Sequence, residues 1–264
     1  MNAIPDALAV DQAHLAEPRF LGRQTAGLLI RNIAAMYRRH LGVLMACTVL
    51  PMLPVYLPVM WLDEAGGPLY LLAFFVYMAA AFVVSSAATI VISDICIGNH
   101  PSALQAFRQA LGRQRWWQIL WTSLLLTLGV MVGMLLLLPG LWLMARSFLT
   151  AMVVTLEGRS GMDAIKRSLA LTKGQAWRVI GLTLLPMLLA FIPILVVVIA
   201  VSAVLAFTVK DPHSALPIIQ IVSFVMAFAL FAPVISITMV LLYYDQRVRR
   251  EAYDVQALTE DLMR

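Results

Sequence analysis

Apolar residues gather into six long stretches, at 41–62, 69–93, 117–138, 140–156, 179–209 and 215–244, with short polar segments between them. A helix rising ~1.5 Å per residue needs about 20 apolar residues to cross a hydrocarbon layer of about 30 Å. Each stretch therefore predicts a membrane-crossing helix. The third and fourth are parted only by Pro139-Gly140, a strong turn signal that predicts a tight hairpin. The fifth and sixth run about 30 residues, or about 45 Å, so they must tilt, kink or project beyond the bilayer.

Composition agrees with this pattern. Of 264 residues, 62% are hydrophobic and 12% charged, against about 45–50% and about 25% in a soluble domain. A water-soluble enzyme, a disordered chain and a collagen-like chain are excluded. The two cysteines, Cys47 and Cys96, both fall in apolar runs and do not make a disulfide framework.

Charge sets the orientation, because cationic loops stay on the cytoplasmic side. Of the 19 Lys and Arg residues, all but Arg146 and Lys210 fall in the N-terminal segment, the second-to-third connection, the fourth-to-fifth connection or the tail. That predicts an even number of crossings with both termini cytoplasmic. The net charge of +5 thus reads as a basic inner surface and not as a nucleic-acid footprint. Trp116, Trp117, Trp177, Tyr243 and Tyr244 mark the inner ends of the spans, and Trp61 and Tyr70 the outer ends, as an aromatic belt would.

An internal pattern divides the chain in three. The segment from Ser102 to Ile119 aligns without gaps on Asp163 to Ile180, and Pro51 and Pro58 fall on Pro186 and Pro193. The units, about 20–93, 99–157 and 161–245, each read as an amphipathic helix followed by two crossings. Residues 1–18 read as a flexible cytoplasmic N-terminus without the basic start of a signal peptide, and 246–264 as a cytoplasmic tail. The amphipathic helices carry Phe20, Leu21, Leu28, Leu29, Ile33, Met36 and Tyr37 in the first unit, Ala103, Leu104, Phe107, Ala110 and Leu111 in the second, and Ala164, Ile165, Leu169 and Leu171 in the third. Such a face suits either the lipid headgroup region or a cap on the bundle.

The candidate chemistry is sparse. Arg146 is the one unambiguous charge inside a predicted span, a position that costs about 2.5–3.5 kcal/mol on insertion scales and calls for a compensating partner. Two kinds of partner stand open. One is a carbonyl freed by a helix-internal proline, such as Leu182 before Pro186 or Leu189 before Pro193; the other is an anionic headgroup. Asp94, Glu157 and Asp245 close three inner ends and are expected to pair with Arg167, Arg178 or Arg247. Pro51, Pro58, Pro186, Pro193 and Pro233 are expected helix breaks, and Gly129 with Gly133 forms a close-packing GxxxG. No phosphate loop, zinc-protease or serine-hydrolase motif and no metal-ligand spacing is present, so neither cofactor nor metal is expected.

The run Ala164-Ile165-Lys166-Arg167-Ser168-Leu169, continuing to Trp177-Arg178, and the closing Leu242-Tyr243-Tyr244-Asp245-Gln246-Arg247-Val248-Arg249-Arg250-Glu251 resemble the glycerophosphoryl diester phosphodiesterase membrane-domain-like family of bacterial proteins. Pro139-Gly140 with Arg146 fits the same likeness, whereas Ala252 stands where that family commonly has Gly. The resemblance implies a membrane domain. It does not import the soluble phosphodiesterase of some relatives, since His14, His40, His100 and His213 are scattered and lack acidic neighbours. The expectation is an all-α, six-span bundle of three hairpin units. It is non-enzymatic, handling anionic lipid or assisting a membrane-protein partner. A permease subunit and an enzyme on lipid-linked substrates are the alternatives.

Overall fold

The computed structural model describes residues 22–63, 67–99, 102–112, 115–134, 143, 146–208 and 212–251. The expected N-terminal segment, the turn at Pro139-Gly140, the Trp116 side chain, Lys210 and most of the tail lie outside them. Among the described residues the chain is helical, with no strand. Its helices are α1 (Ala26–Asp63), α2 (Gly67–Ile97), α3 (Ala103–Ala110), α4 (Arg115–Met134), α5 (Thr150–Glu157), α6 (Gly161–Leu171), α7 (Ala176–Thr208), α8 (Pro212–Met226) and α9 (Ala232–Glu251). A five-residue π-helical segment, Ala227–Phe231, joins α8 to α9.

Among the described residues four stretches are long and apolar enough to cross a bilayer: Ala26–Leu62, Gly67–Ile97, Ala176–Leu205 and Leu216–Glu251. The third expected crossing corresponds to α4, whose apolar part, Trp117–Val130, is shorter. The fourth is described at residue 143 and from Arg146 onward, ending in the eight-residue α5.

The first amphipathic helix and the first span are one element. Helix α1 is 38 residues, about 57 Å at ~1.5 Å per residue, and departs from helical dihedrals at His40, where φ is −119° and ψ 22°. It continues through Pro51, Pro54 and Pro58, and α7 continues through Pro186 and Pro193. These prolines lie inside helices and do not end them.

The packed core sits at the end of the molecule where α1 begins and α2 and α9 finish. Leu29, Met36 and Leu44 of α1 meet Val91 and Ile92 of α2, Val153 of α5, Ala164 of α6 and Leu241 of α9, all buried. The amphipathic faces of α1, α3 and α6 are therefore covered by protein, through Leu29 and Ile33, Ala106 and Ala110, and Ala164 and Leu171. Of the two placements open to those faces, the buried residues fit a cap packed on the bundle, while Leu104 and Leu111 beside them stay exposed.

Beyond the core the surface turns apolar. Leu188, Ile192, Val196, Val204 and Phe207 of α7 and Leu69, Leu72 and Phe75 of α2 are exposed. Contiguous apolar surface on this scale is foreign to a soluble monomer and matches a hydrocarbon surrounding. A smaller cluster of Met52, Val84 and Phe224, with Tyr56 stacked on Phe224 at 3.9 Å, ties α1, α2 and α8 together there.

Candidate functional site

Three polar junctions gather at the core end. The first centres on Asp245 in α9, whose side chain is wholly buried. Arg178 Nη1, at the start of α7, donates to its Oδ2 at 2.6 Å, and Arg249 Nε donates to its Oδ1 at 2.8 Å. The backbone N–H of Gln24 adds a third donor at 2.7 Å, and the Gln246 amide a fourth at 3.1 Å. Arg178 also donates to the Gln24 carbonyl, so the approach to α1 is fastened to α7 and α9 through one carboxylate. A buried carboxylate is tolerated when its lone pairs are filled in this way.

The second junction centres on Glu157 at the end of α5. Arg167 Nε of α6 bridges both carboxylate oxygens at 3.1 Å, Arg159 Nε lies 3.0 Å away, and the Tyr243 hydroxyl donates at 2.9 Å. Arg167 also pairs with Glu251, which Arg247 reaches at 3.1 Å. Burial works against the Arg167 charge, but the hydrogen bonds and charges of Glu251 and Glu157 outweigh it and hold its guanidinium pKa above the ordinary arginine value. The turn between α5 and α6 depends on Gly158 at φ 68°, a left-handed position that L side chains resist.

Arg146 makes the third junction. Its Nη2 donates to the Leu169 carbonyl at 2.6 Å, in the last turn of α6, while Ser168 and Thr172 hydroxyls donate to the Arg146 carbonyl at 2.9 Å each. A cation against a helix C-terminus is favoured by the helix dipole. The compensating carbonyl thus comes from α6 and not from Leu182 or Leu189 of α7.

Other expected sites fall as follows. Asp94 is hydrogen-bonded by Asn99 and has no arginine partner among the described residues. Gly129 of α4 leaves room for the Leu143 side chain, which a Cβ would meet at 3.5 Å, and Gly133 is partly exposed. Tyr243 and Tyr244, expected in an aromatic belt, are fully buried; their hydroxyls bond Glu157 and, at 2.6 Å, Ser93. Trp61, Trp117 and Trp177 are exposed, as belt residues would be.

Pro233 has a consequence that its position in the sequence only half reveals. It lacks an N–H for the carbonyl four residues earlier, that of Ala229, and the Tyr37 hydroxyl of α1 donates there at 2.8 Å. Tyr37 also lines an apolar groove of about 280 Å³ between α1, α7 and the π-helical segment. Ile33, Tyr37, Pro186, Pro193 and Leu230 line it, and Arg38 is the charged residue among its described lining. Arg31 and Arg38, two helical turns apart on α1, are both exposed. Among the described residues no group of three or more His, Cys, Asp or Glu side chains is placed to hold a metal ion. Compared with protein-family models, with curated proteins and with solved structures, the chain matches none.

Proposed function

We propose that this chain is a six-span protein of the bacterial cytoplasmic membrane, with both termini inside, that handles anionic lipid without catalysing a reaction. The reading takes α4 and the segment ending in α5 as the third and fourth crossings, completing three hairpin units. It keeps the resemblance to the glycerophosphoryl diester phosphodiesterase membrane-domain-like family as part of the proposal. An acyl chain occupies the groove between α1, α7 and the π-helical segment, and the lipid phosphate meets Arg38 and Arg31.

The observation that carries it is the groove itself: apolar walls at Pro186 and Pro193 with Arg38 among them, beside the exposed apolar face of α7. A lipid has the same division, a hydrocarbon chain below an anion. Native mass spectrometry of the purified chain tests this. The proposal expects retained phosphatidylglycerol or another anionic lipid, reduced severalfold by Arg38→Glu. Retention of zwitterionic lipid alone, or no change in Arg38→Glu, contradicts it.

A further inference from the structure

Helix α3 presents three different surfaces. At ~100° per residue, Leu104, Arg108 and Leu111 fall within about 60° of one another, Ala106 and Ala110 share the opposite side, and Gln105 and Gln109 lie between the two. The alanine side is buried and belongs to the bundle core. Leu104 and Leu111 are 62% and 56% exposed, and Gln105, Arg108 and Gln109 are exposed with them. Ser102 caps the helix by accepting the Gln105 N–H, and Leu111 keeps right-handed helical dihedrals just past its end, so the outer stripe runs for two turns.

The next helix indicates what covers that stripe. Trp117, Trp121, Leu124 and Leu128 of α4 recur at helical spacing and are all exposed, forming part of the hydrocarbon-facing surface. Five residues separate Leu111 from Trp117. Even a fully extended connection keeps Leu111 within about 22 Å of this exposed tryptophan, the kind of residue that marks the level of a membrane interface. Arg108 supplies a cation beside the leucines, and α3 itself carries no carboxylate to neutralise it.

We infer that α3 docks on the anionic headgroup region of the bilayer. Its alanines rest on the bundle, its leucines enter the acyl boundary, Arg108 meets lipid phosphate, and its glutamines stay in water. Interfacial amphipathic helices divide their surfaces in this way, and an arginine can cover apolar surface with its stem while its head reaches a phosphate. A soluble partner could also cover two leucines, but it would not account for their closeness to the bilayer-facing stripe of α4. The site is distinct from the groove beside Arg38; it rests on the membrane-spanning reading and not on the handling of lipid in that groove.

The whole chain, reconstituted in phosphatidylcholine vesicles with or without phosphatidylglycerol, tests this. A nitroxide is attached at Leu104→Cys, Gln109→Cys or Leu111→Cys, and its collisions with oxygen, which concentrates in hydrocarbon, are compared with those of a water-soluble nickel chelate. Cys47 and Cys96 are buried, and the unsubstituted chain gives the labelling background. With phosphatidylglycerol present, the oxygen-to-nickel ratio should be severalfold higher at Leu104 and Leu111 than at Gln109, and it should fall at both leucine positions when that lipid is omitted. Arg108→Gln should abolish the dependence on phosphatidylglycerol, and Arg108→Lys should retain it. Equal ratios at the three positions would mean a face open to water or kept for a soluble partner and would overturn the inference. A ratio indifferent to phosphatidylglycerol, or a dependence that survives Arg108→Gln, would overturn it equally. Sidedness does not enter this readout and Arg38 is intact throughout, so failure here is distinguishable from failure of the proposed orientation or of the groove's lipid.

Discussion

Arg178 and Asp245, 67 residues apart, meet at 2.6 Å and join the first turn of α7 to the buried end of α9. The carboxylate is fully buried while the guanidinium is 31% exposed, so the two halves of the pair are not equivalent. Asp245→Ala strands Arg178 and Arg249 together and should cost about 3–5 kcal/mol, the range for breaking a buried pair from one side. Arg178→Ala leaves Asp245 with Arg249, Gln24 and Gln246 and should cost less. Detergent unfolding of both single variants and the double variant measures the difference; equal losses from the two single variants would contradict the asymmetry.

Tyr37 and Pro233 should be energetically coupled. Tyr37→Phe removes the donor to the Ala229 carbonyl and is expected to cost about 1 kcal/mol. In a Pro233→Ala background, residue 233 regains an N–H for that carbonyl, and the cost of Tyr37→Phe should shrink. A thermal-melting double-mutant cycle reads the coupling, and strictly additive effects would remove the link.

Arg146→Leu is expected to lower stability by about 1.5–3 kcal/mol, the loss of a charged hydrogen bond to the Leu169 carbonyl. Arg146→Lys should recover part of it, since an ammonium also serves a helix C-terminus. Unfolding in detergent compares the two, and a Leu variant at least as stable as the parent would leave this contact without a structural role.

Gly158→Ala tests backbone conformation alone, because an added Cβ meets nothing within 4 Å. At φ 68° it should cost about 1–2 kcal/mol, and Gly158→Asn less. Identical melting temperatures for Gly158, Ala and Asn would mean that the α5–α6 turn carries no strain.

Much of the helical content was legible in the sequence, because runs of apolar residues at least a bilayer long leave few alternatives. Which surface covers an amphipathic face was not legible: Leu29, Ile33 and Ala164 would read identically against lipid or against α2 and α9. The partnership of Glu157 with Arg167 and of Asp245 with Arg178 follows from charges placed at span ends. Nothing in the sequence assigns a pairing to Glu251, which lies beyond the last apolar stretch, or to Gln24, which contributes through its backbone. For Arg146, neither a side-chain counter-charge nor a proline-freed carbonyl points to Leu169, since a carbonyl at a helix end has no residue signature. Tyr243 and Tyr244 sit at a span end, where a belt position and a buried hydrogen-bonding position look the same in one dimension. The groove joins separate segments of the chain, which no linear pattern brings together.

Membrane topology decides most directly whether the cations and both ends of the chain share one side. Single cysteines at Lys210, Asn99 and Arg250 are to be probed in intact cells with a membrane-impermeant maleimide, then again after permeabilisation. Labelling of Lys210→Cys from outside, with Asn99→Cys and Arg250→Cys reactive only after permeabilisation, is the predicted result. Labelling of Arg250→Cys in sealed cells, or release of the protein by alkaline carbonate, would contradict it.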